Sequence, residues 1–150
     1  RPSLLLLDEP TDGLDHVIRD ETLRILSRHL SDTSTTVLIS THRVHEVERL
    51  VDHVGVLSGG KLLSQVPRAE LQRMLRRYWA DIPAGWAGAP ELNGHVIQRR
   101  TGERDIEWTV WGEEQRVRHG LAAAGASVRN VAPLSIDDAA TVLLSGKVGS

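Results

Sequence analysis

The chain has 150 residues, 40% of them hydrophobic and 25% charged, a composition ordinary for a folded protein of one compact domain or two small ones. Lys and Arg total 18 against 20 Asp and Glu, and neither half departs from balance, which argues against a nucleic-acid groove built on bulk positive charge. There is no Cys, which excludes disulfides, Cys–zinc sites and thiol chemistry, and apolar runs such as Leu4 to Leu7 fall far short of the roughly 20 residues a membrane span needs.

The chain opens Arg1-Pro2, without Met, and enters a strand at once, which reads as a piece of a longer protein. Leu4 to Leu7 is a continuous apolar run, the pattern of a strand buried on both faces of a parallel sheet. Asp8 to Asp15 is rich in turn formers, and Asp15 is placed to cap a helix running to about Leu30, with Ile18, Thr22, Ile25, Leu26 and Leu30 along one stripe. Thr36 to Ser40 is a second strand. Strand, helix and strand at this spacing form a βαβ unit, so the two strands should be parallel. A second helix is expected over Val44 to Asp52, and a hairpin over Val54 to Leu57 and Lys61 to Gln65, turning at Ser58-Gly59-Gly60. Pro67 suits the first turn of a further helix, whose apolar face would be Leu71, Met74, Leu75 and Tyr78.

Composition shifts at 81–94, where Pro and Gly gather around a Trp without any period; this reads as a linker. Beyond it, His95 to Arg100 and Asp105 to Trp111 read as a hairpin, with Ile106, Trp108 and Val110 on a buried face. Glu113 to Ala124 reads as a helix ended by Gly125, Ser127 to Val131 as a strand, and Ser135 with Asp138 as the capping start of a last helix ending near Leu144. The fold class is α/β: a parallel sheet with helices, then a small ββαβα module. The expected domains are 1–80, a linker at 81–94, and a small α/β domain at 95–150.

Chemistry concentrates in the first half. Leu4 to Leu7 followed by Asp8 and Glu9 places two carboxylates at the C-terminal end of a parallel strand, the edge at which open α/β sheets bind ligands. An Asp there can hold hydrated Mg²⁺ against nucleotide phosphates, and a neighbouring Glu can polarise an attacking water. Read alone, the same residues also fit a turn with helix-capping acids. The second strand ends Ser40-Thr41-His42, which brings His42 to the same edge. A His there can bond a γ-phosphate or hold the attacking water.

At this point the sequence resembles the ATP-binding subunit of ABC transporters. The resemblance rests on LLLLDEP (Leu4 to Pro10), TDGLD (Thr11 to Asp15) and LISTH (Leu38 to His42), in family order and spacing, with EVERLVDHVGVLSGGKLL (Glu46 to Leu63) similar to the segment after the family's switch histidine. It covers residues 1 to about 76. It implies the P-loop NTPase fold, with Asp8 closing the Walker B motif and holding Mg²⁺ through water, Glu9 the catalytic base, His42 the switch histidine, and Asp15 the D-loop aspartate that faces a second nucleotide-binding subunit. It also implies ATP as the nucleotide, transmembrane permease subunits as partners, no nucleic acid, and a place on the cytoplasmic face of the cell membrane. His16 departs from the family, which often has Pro there.

The family's phosphate loop, Q-loop and signature motif precede Walker B, so the resemblance implies that they precede Arg1 and that the chain alone does not hydrolyse ATP. Two stretches imitate those motifs. Leu57 to Gly60 spells the start of the signature, and Gly55 to Lys61 spells G-x-x-x-x-G-K, but Leu62 follows the Lys and the setting is a hairpin. The tail resembles, more distantly, the C-terminal extension of bacterial ABC exporters, best over Ala132 to Asp138. Trp108 and Trp111 suit core packing and an edge or interface rather than a stacking site. Two rival readings are an ABC-type ATPase of a non-transport system and a non-catalytic module that retains the fold.

Overall fold

In a computed structural model, residues 3–90 and 92–145 are described. The chain divides into two compact units, Arg1–Leu50 and Val51–Ser150. The elements of the first are β1 (Leu4–Asp8), α1 (His16–Asp32), β2 (Thr36–Ser40) and a short α2 (Val44–Val47). Those of the second are β3 (His53–Ser58), β4 (Lys61–Pro67), α3 (Arg68–Met74), β5 (Leu75–Asp81), β6 (His95–Thr101), β7 (Asp105–Trp111), α4 (Glu114–Ala123), β8 (Ser127–Pro133) and α5 (Ile136–Ser145). None of the helices among the described residues is long and apolar enough to cross a membrane.

In the first unit, β1 and β2 pair in parallel, Leu4 opposite Thr36 through Asp8 opposite Ser40, as a βαβ connection requires. The strand does not have both faces buried. Exposure alternates along it, with Leu4 53% and Leu6 65% exposed, whereas Leu5 and Leu7 share an apolar cavity with Leu23, Ile25 and Leu26 of α1. The single long helix of this unit covers one sheet face; burial of the other would need a second layer. The expected stripe of α1 is buried at Leu26, while Ile18 and Ile25 stay half exposed. The second helix is also shorter than expected: it ends at Val47, and the Leu50 N–H closes a turn on the Val47 carbonyl. Val44, Val47 and Val51, three of the nine residues of the expected helix, give it little helix propensity.

The second unit opens with the β3–β4 hairpin. Gly59 and Gly60 both have positive φ, 56° and 75°, as a two-residue hairpin turn of the primed kind requires. The glycines that imitate a phosphate loop are therefore turn glycines, and the Lys beside them starts a strand. The main body is an antiparallel sheet in the order β6-β7-β5-β8. Tyr78, Ala80, Ile106, Trp108 and Val110 form its core with Val117 and Leu121 of α4. Trp108 is buried there, as the sequence suggests, and donates its indole N–H to the Thr101 hydroxyl at 3.1 Å.

Two segments of this unit differ from expectation. Leu75 and Tyr78, read as part of a helix face, and Asp81, read as the start of the linker, all belong to the strand β5, which is paired with both β7 and β8. Leu71, Met74, Leu75 and Tyr78 satisfy a helical period locally, but two flanking strands supply a full ladder of backbone partners to 75–81. Residues 82–90 and 92–94 have no regular structure, yet they pack: Ile82 is buried, and Trp86 sits 5.3 Å from Trp108 and donates to the Ala124 carbonyl at 2.6 Å. The helix caps follow expectation. Gly125 takes φ 82° after α4, and the Asp138 N–H bonds the Ser135 hydroxyl at 3.0 Å.

Tyr78, the chain's one tyrosine, is fully buried, and its hydroxyl has no hydrogen-bond partner among the described residues. Burial, with a smaller push from the Glu114 charge, raises its pKa to about 12. The raised value means that the neutral phenol stabilises the fold below the usual 10.0, and that this stabilisation is lost as pH rises through about 12. Tyrosinate ultraviolet absorbance of the folded chain should therefore titrate well above that of the denatured chain. Tyr78→Phe should abolish the alkaline loss and leave stability at neutral pH unchanged or higher by up to about 1 kcal/mol, since it removes an unpaired buried hydroxyl. Thermal melts of the two proteins across alkaline pH check this.

Candidate functional site

The parallel register delivers the site. Asp8 lies opposite Ser40, whose hydroxyl donates to its carboxylate. The next residue on each strand leaves the sheet at the same edge, so Glu9 and Thr41 are neighbours. The Glu9 N–H donates to the Ser40 carbonyl at 2.9 Å, and the chain then turns, with the Asp12 N–H on the Glu9 carbonyl at 3.0 Å. That turn holds Glu9 at φ 42°, and it is the only non-glycine residue with positive φ among those described. Such a conformation costs a residue with a Cβ about 1 kcal/mol or more and concentrates at functional sites.

The Glu9 carboxylate is fixed by donors from the residues that follow β2. Thr41 donates its hydroxyl to one oxygen at 2.9 Å, while the backbone N–H of His42 at 3.0 Å and the ring Nδ1 of His42 at 2.8 Å reach the other. Thr41 is itself oriented, because its oxygen accepts the Arg43 N–H at 3.0 Å and so turns its proton toward Glu9. The His42 side chain holds the Glu9 carboxyl below the ordinary carboxylate range, the Thr41 hydroxyl and the His42 backbone N–H add to this, and partial burial opposes it. Glu9 is thus an ionised acceptor at neutral pH. With Nδ1 committed to Glu9, His42 keeps Nε2 for another group: an acceptor when the ring is neutral, a donor when it is charged.

Asp8 is an exposed oxygen donor at the strand end. No group of three or more His, Asp or Glu side chains placed to hold a metal ion occurs among the described residues, and Asp8 offers a single carboxylate. Asp15 stands apart from this group. Its side chain caps α1, accepting the Ile18 N–H at 3.0 Å, and His16 takes the first helical position with its ring 3.4 Å from Asp20. The structure thus brings Glu9 and His42 together, sets Asp8 beside them, and gives Asp15 a helix-capping role of its own.

Three residues to which the sequence reading gives no role of their own belong to this region: Thr41, Thr11 and Glu46. Thr41 lies inside the quoted LISTH stretch, where a hydroxyl two residues from an acid-bearing edge is a legible signal. Glu46 lies four residues after His42, one helical turn on, but nothing in the sequence shows it to be buried. Its side chain is only 6% exposed. The hydrogen bond from Thr11, then the charges of Arg19 and Arg43, hold its carboxyl below the ordinary 4.5 against the opposing effect of burial.

No protein-family model matches the chain. Among curated proteins, it is 43% identical over 77 residues to a bacitracin transport ATP-binding protein of Bacillus licheniformis, a match covering 51% of this chain and 25% of that protein. It is 38% identical over 72 residues to an ABC transporter ATP-binding protein of Bacillus subtilis, covering 48% and 25%. It is 42% identical over 72 residues to a molybdenum import ATP-binding protein of Rhodopseudomonas palustris, covering 48% and 19%. The matches span about a quarter or less of these relatives' length. About half of the chain is thus sequence shared with ABC transporter ATP-binding subunits.

Two measurements probe this region. A folded-state pKa below 4.5 means that Glu46 stabilises the chain fully above that value, and that this is lost as pH falls through its lowered pKa. The melting temperature should drop more steeply between about pH 5 and 3 in the parent chain than in Glu46→Gln. Asp15→Ala should cost about 1 kcal/mol through the lost cap, while Asp15→Asn keeps most of it, as read by denaturant unfolding.

Proposed function

We propose that this chain is the C-terminal portion of an ABC transporter's ATP-binding subunit, in which ATP hydrolysis drives movement of a substrate across a membrane. The observation that carries this reading is the Glu9–His42 pair, joined at 2.8 Å where two parallel strands end, in a chain half of which matches transporter ATP-binding proteins.

Glu9 is the proposed catalytic base. Its carboxylate is ionised, held in a fixed orientation, and able to accept a proton from a water placed against it. The donors that hold it lower its basicity, so the gain lies in orientation. His42 is the proposed partner that keeps Glu9 in place through Nδ1 and offers Nε2 to the water or to a phosphate oxygen. Asp8 is the residue proposed to hold Mg²⁺, which when bound neutralises phosphate charge. Asp15 and its loop are proposed to face a second nucleotide-binding subunit, and permease subunits are the proposed membrane partners, which puts the working subunit on the cytoplasmic face of the cell membrane.

The β- and γ-phosphates need a cradle of backbone N–H groups. The stretch that spells one, Gly55 to Lys61, is a hairpin turn. Hydrolysis is therefore assigned to the subunit in which a phosphate loop and a signature motif accompany these residues, and this chain by itself is proposed to be inactive. The proposed division keeps 1–80 as the ATPase part and 95–150 as a small accessory domain, with the strand β5 joining the accessory sheet from ahead of that division. Export is the proposed direction, on the likeness of the Ala132 to Asp138 tail to exporter extensions.

In the hydrolysing subunit, Glu9→Gln should lower steady-state phosphate release by about 10² or more, the scale of losing a general base, while ATP binding survives. His42→Ala should behave similarly, and Asp8→Asn should weaken Mg²⁺-dependent nucleotide binding as well. Unchanged phosphate release in both Glu9→Gln and His42→Ala would overturn the reading and favour a non-catalytic module.

A further inference from the structure

A carboxylate as enclosed as that of Glu46 is tolerated only when its charge and both its oxygens are matched. Here one oxygen accepts the hydroxyl of Thr11 at 2.5 Å. The other meets the guanidinium groups of Arg19 at 3.1 Å and Arg43 at 3.6 Å. Thr11 is itself only 1% exposed, so this hydroxyl has little water to turn to.

Both arginines continue into the same loop. Arg19 donates to the Leu14 carbonyl at 2.9 Å, and Arg43 donates to the Asp12 carboxylate at 3.3 Å. The loop is thus gripped at Thr11, Asp12 and Leu14, all through groups that converge on one carboxylate; Gly13 between them, at φ 71°, has no side chain to hold. On the other side, Arg43 connects the same cluster to the catalytic pair. Its backbone N–H bonds the Thr41 hydroxyl, which donates to Glu9. An unbroken run of hydrogen bonds and ion pairs leads from Glu9 through Thr41, Arg43 and Glu46 to Thr11.

We infer that Glu46 is a positioning residue that locks the loop over residues 11–14 to the Thr41–His42 segment, so that the loop and the Glu9–His42 pair are displaced together or not at all. The lock is a matter of geometry, whatever reaction the site performs. Its consequence for hydrolysis rests on the function proposed above: a movement of the loop that faces the second subunit would reach Glu9 through this run, with Glu46 at the point where its branches meet.

Hydrogen exchange of the full chain tests the lock without any activity. Glu46→Gln keeps the volume and an acceptor for Thr11 but removes the charge. It should speed amide exchange over 9–15 by about tenfold while protection of β1 and β2 changes by less than about twofold. Thr11→Val should do the same, and Thr11→Ser, which restores the hydroxyl, should recover most of the protection. Unchanged exchange over 9–15, or an equal loss across the whole first unit, would overturn the inference. If Glu46→Gln does not fold, the Thr11→Val and Thr11→Ser comparison decides.

In the hydrolysing subunit, Glu46→Gln should lower kcat by about tenfold with the ATP KM within about twofold, since it displaces the catalytic group without touching nucleotide. Glu9→Gln in the same assay separates the two readings. Lost turnover in Glu9→Gln with normal turnover in Glu46→Gln overturns only the positioning role. Normal turnover in Glu9→Gln overturns the ATPase reading, and the exchange result then stands or falls by itself.

Discussion

The first unit depends on the parallel register of β1 against β2. Parallel strands end at the same edge, so whatever follows each strand in sequence becomes a neighbour in space. With Asp8 opposite Ser40, the residues that follow are Glu9 on one side and Thr41-His42 on the other. A slip by one residue would set Ile39 against Asp8 and carry the donors of Glu9 away from it; it would also turn the Leu5 and Leu7 side of the pair away from α1. The apolar packing of the strands and the polar chemistry at their end are therefore fixed by the same alignment.

Glu9 bears the local cost of this arrangement. Its backbone is held at positive φ by the turn that leaves the strand, and its carboxylate takes three donors from the two residues that follow β2. Each donor favours the charged form, which is why the carboxyl is held below its ordinary range. The same bonds pin the side chain in one orientation, which an exposed Glu with free rotamers would lack. Strain and pairing together hold Glu9 in one backbone conformation and one side-chain orientation.

The second unit illustrates a competition between local period and tertiary pairing. From Leu71 to Tyr78 the apolar spacing fits a helix, and the helix α3 does form over its first part. It stops at Met74 because Leu75–Asp81 finds β7 on one side and β8 on the other, and in that ladder Tyr78 and Ala80 face the core formed with α4. The Pro- and Gly-rich stretch after β5 likewise has no period to read, yet Trp86 anchors it on Trp108. A single aromatic side chain can fasten an irregular segment without leaving any periodic trace.

The sequence alone was sufficient for the strand–helix–strand order, the parallel pairing, the hairpin glycines and the convergence of Asp8, Glu9 and His42. These follow from local signals: a short apolar run, a capping Asp, a Gly-Gly turn, and the rule that parallel strands share an edge. What only the tertiary structure decided were the interactions between segments distant in sequence. Burial of Glu46 against Thr11 and Arg19, the strand at 75–81 and the packing of Ile82 and Trp86 each depend on partners many residues away in sequence. A charged residue looks the same in sequence whether solvent or a buried hydroxyl meets it, and that difference arises only when the chain has closed around it.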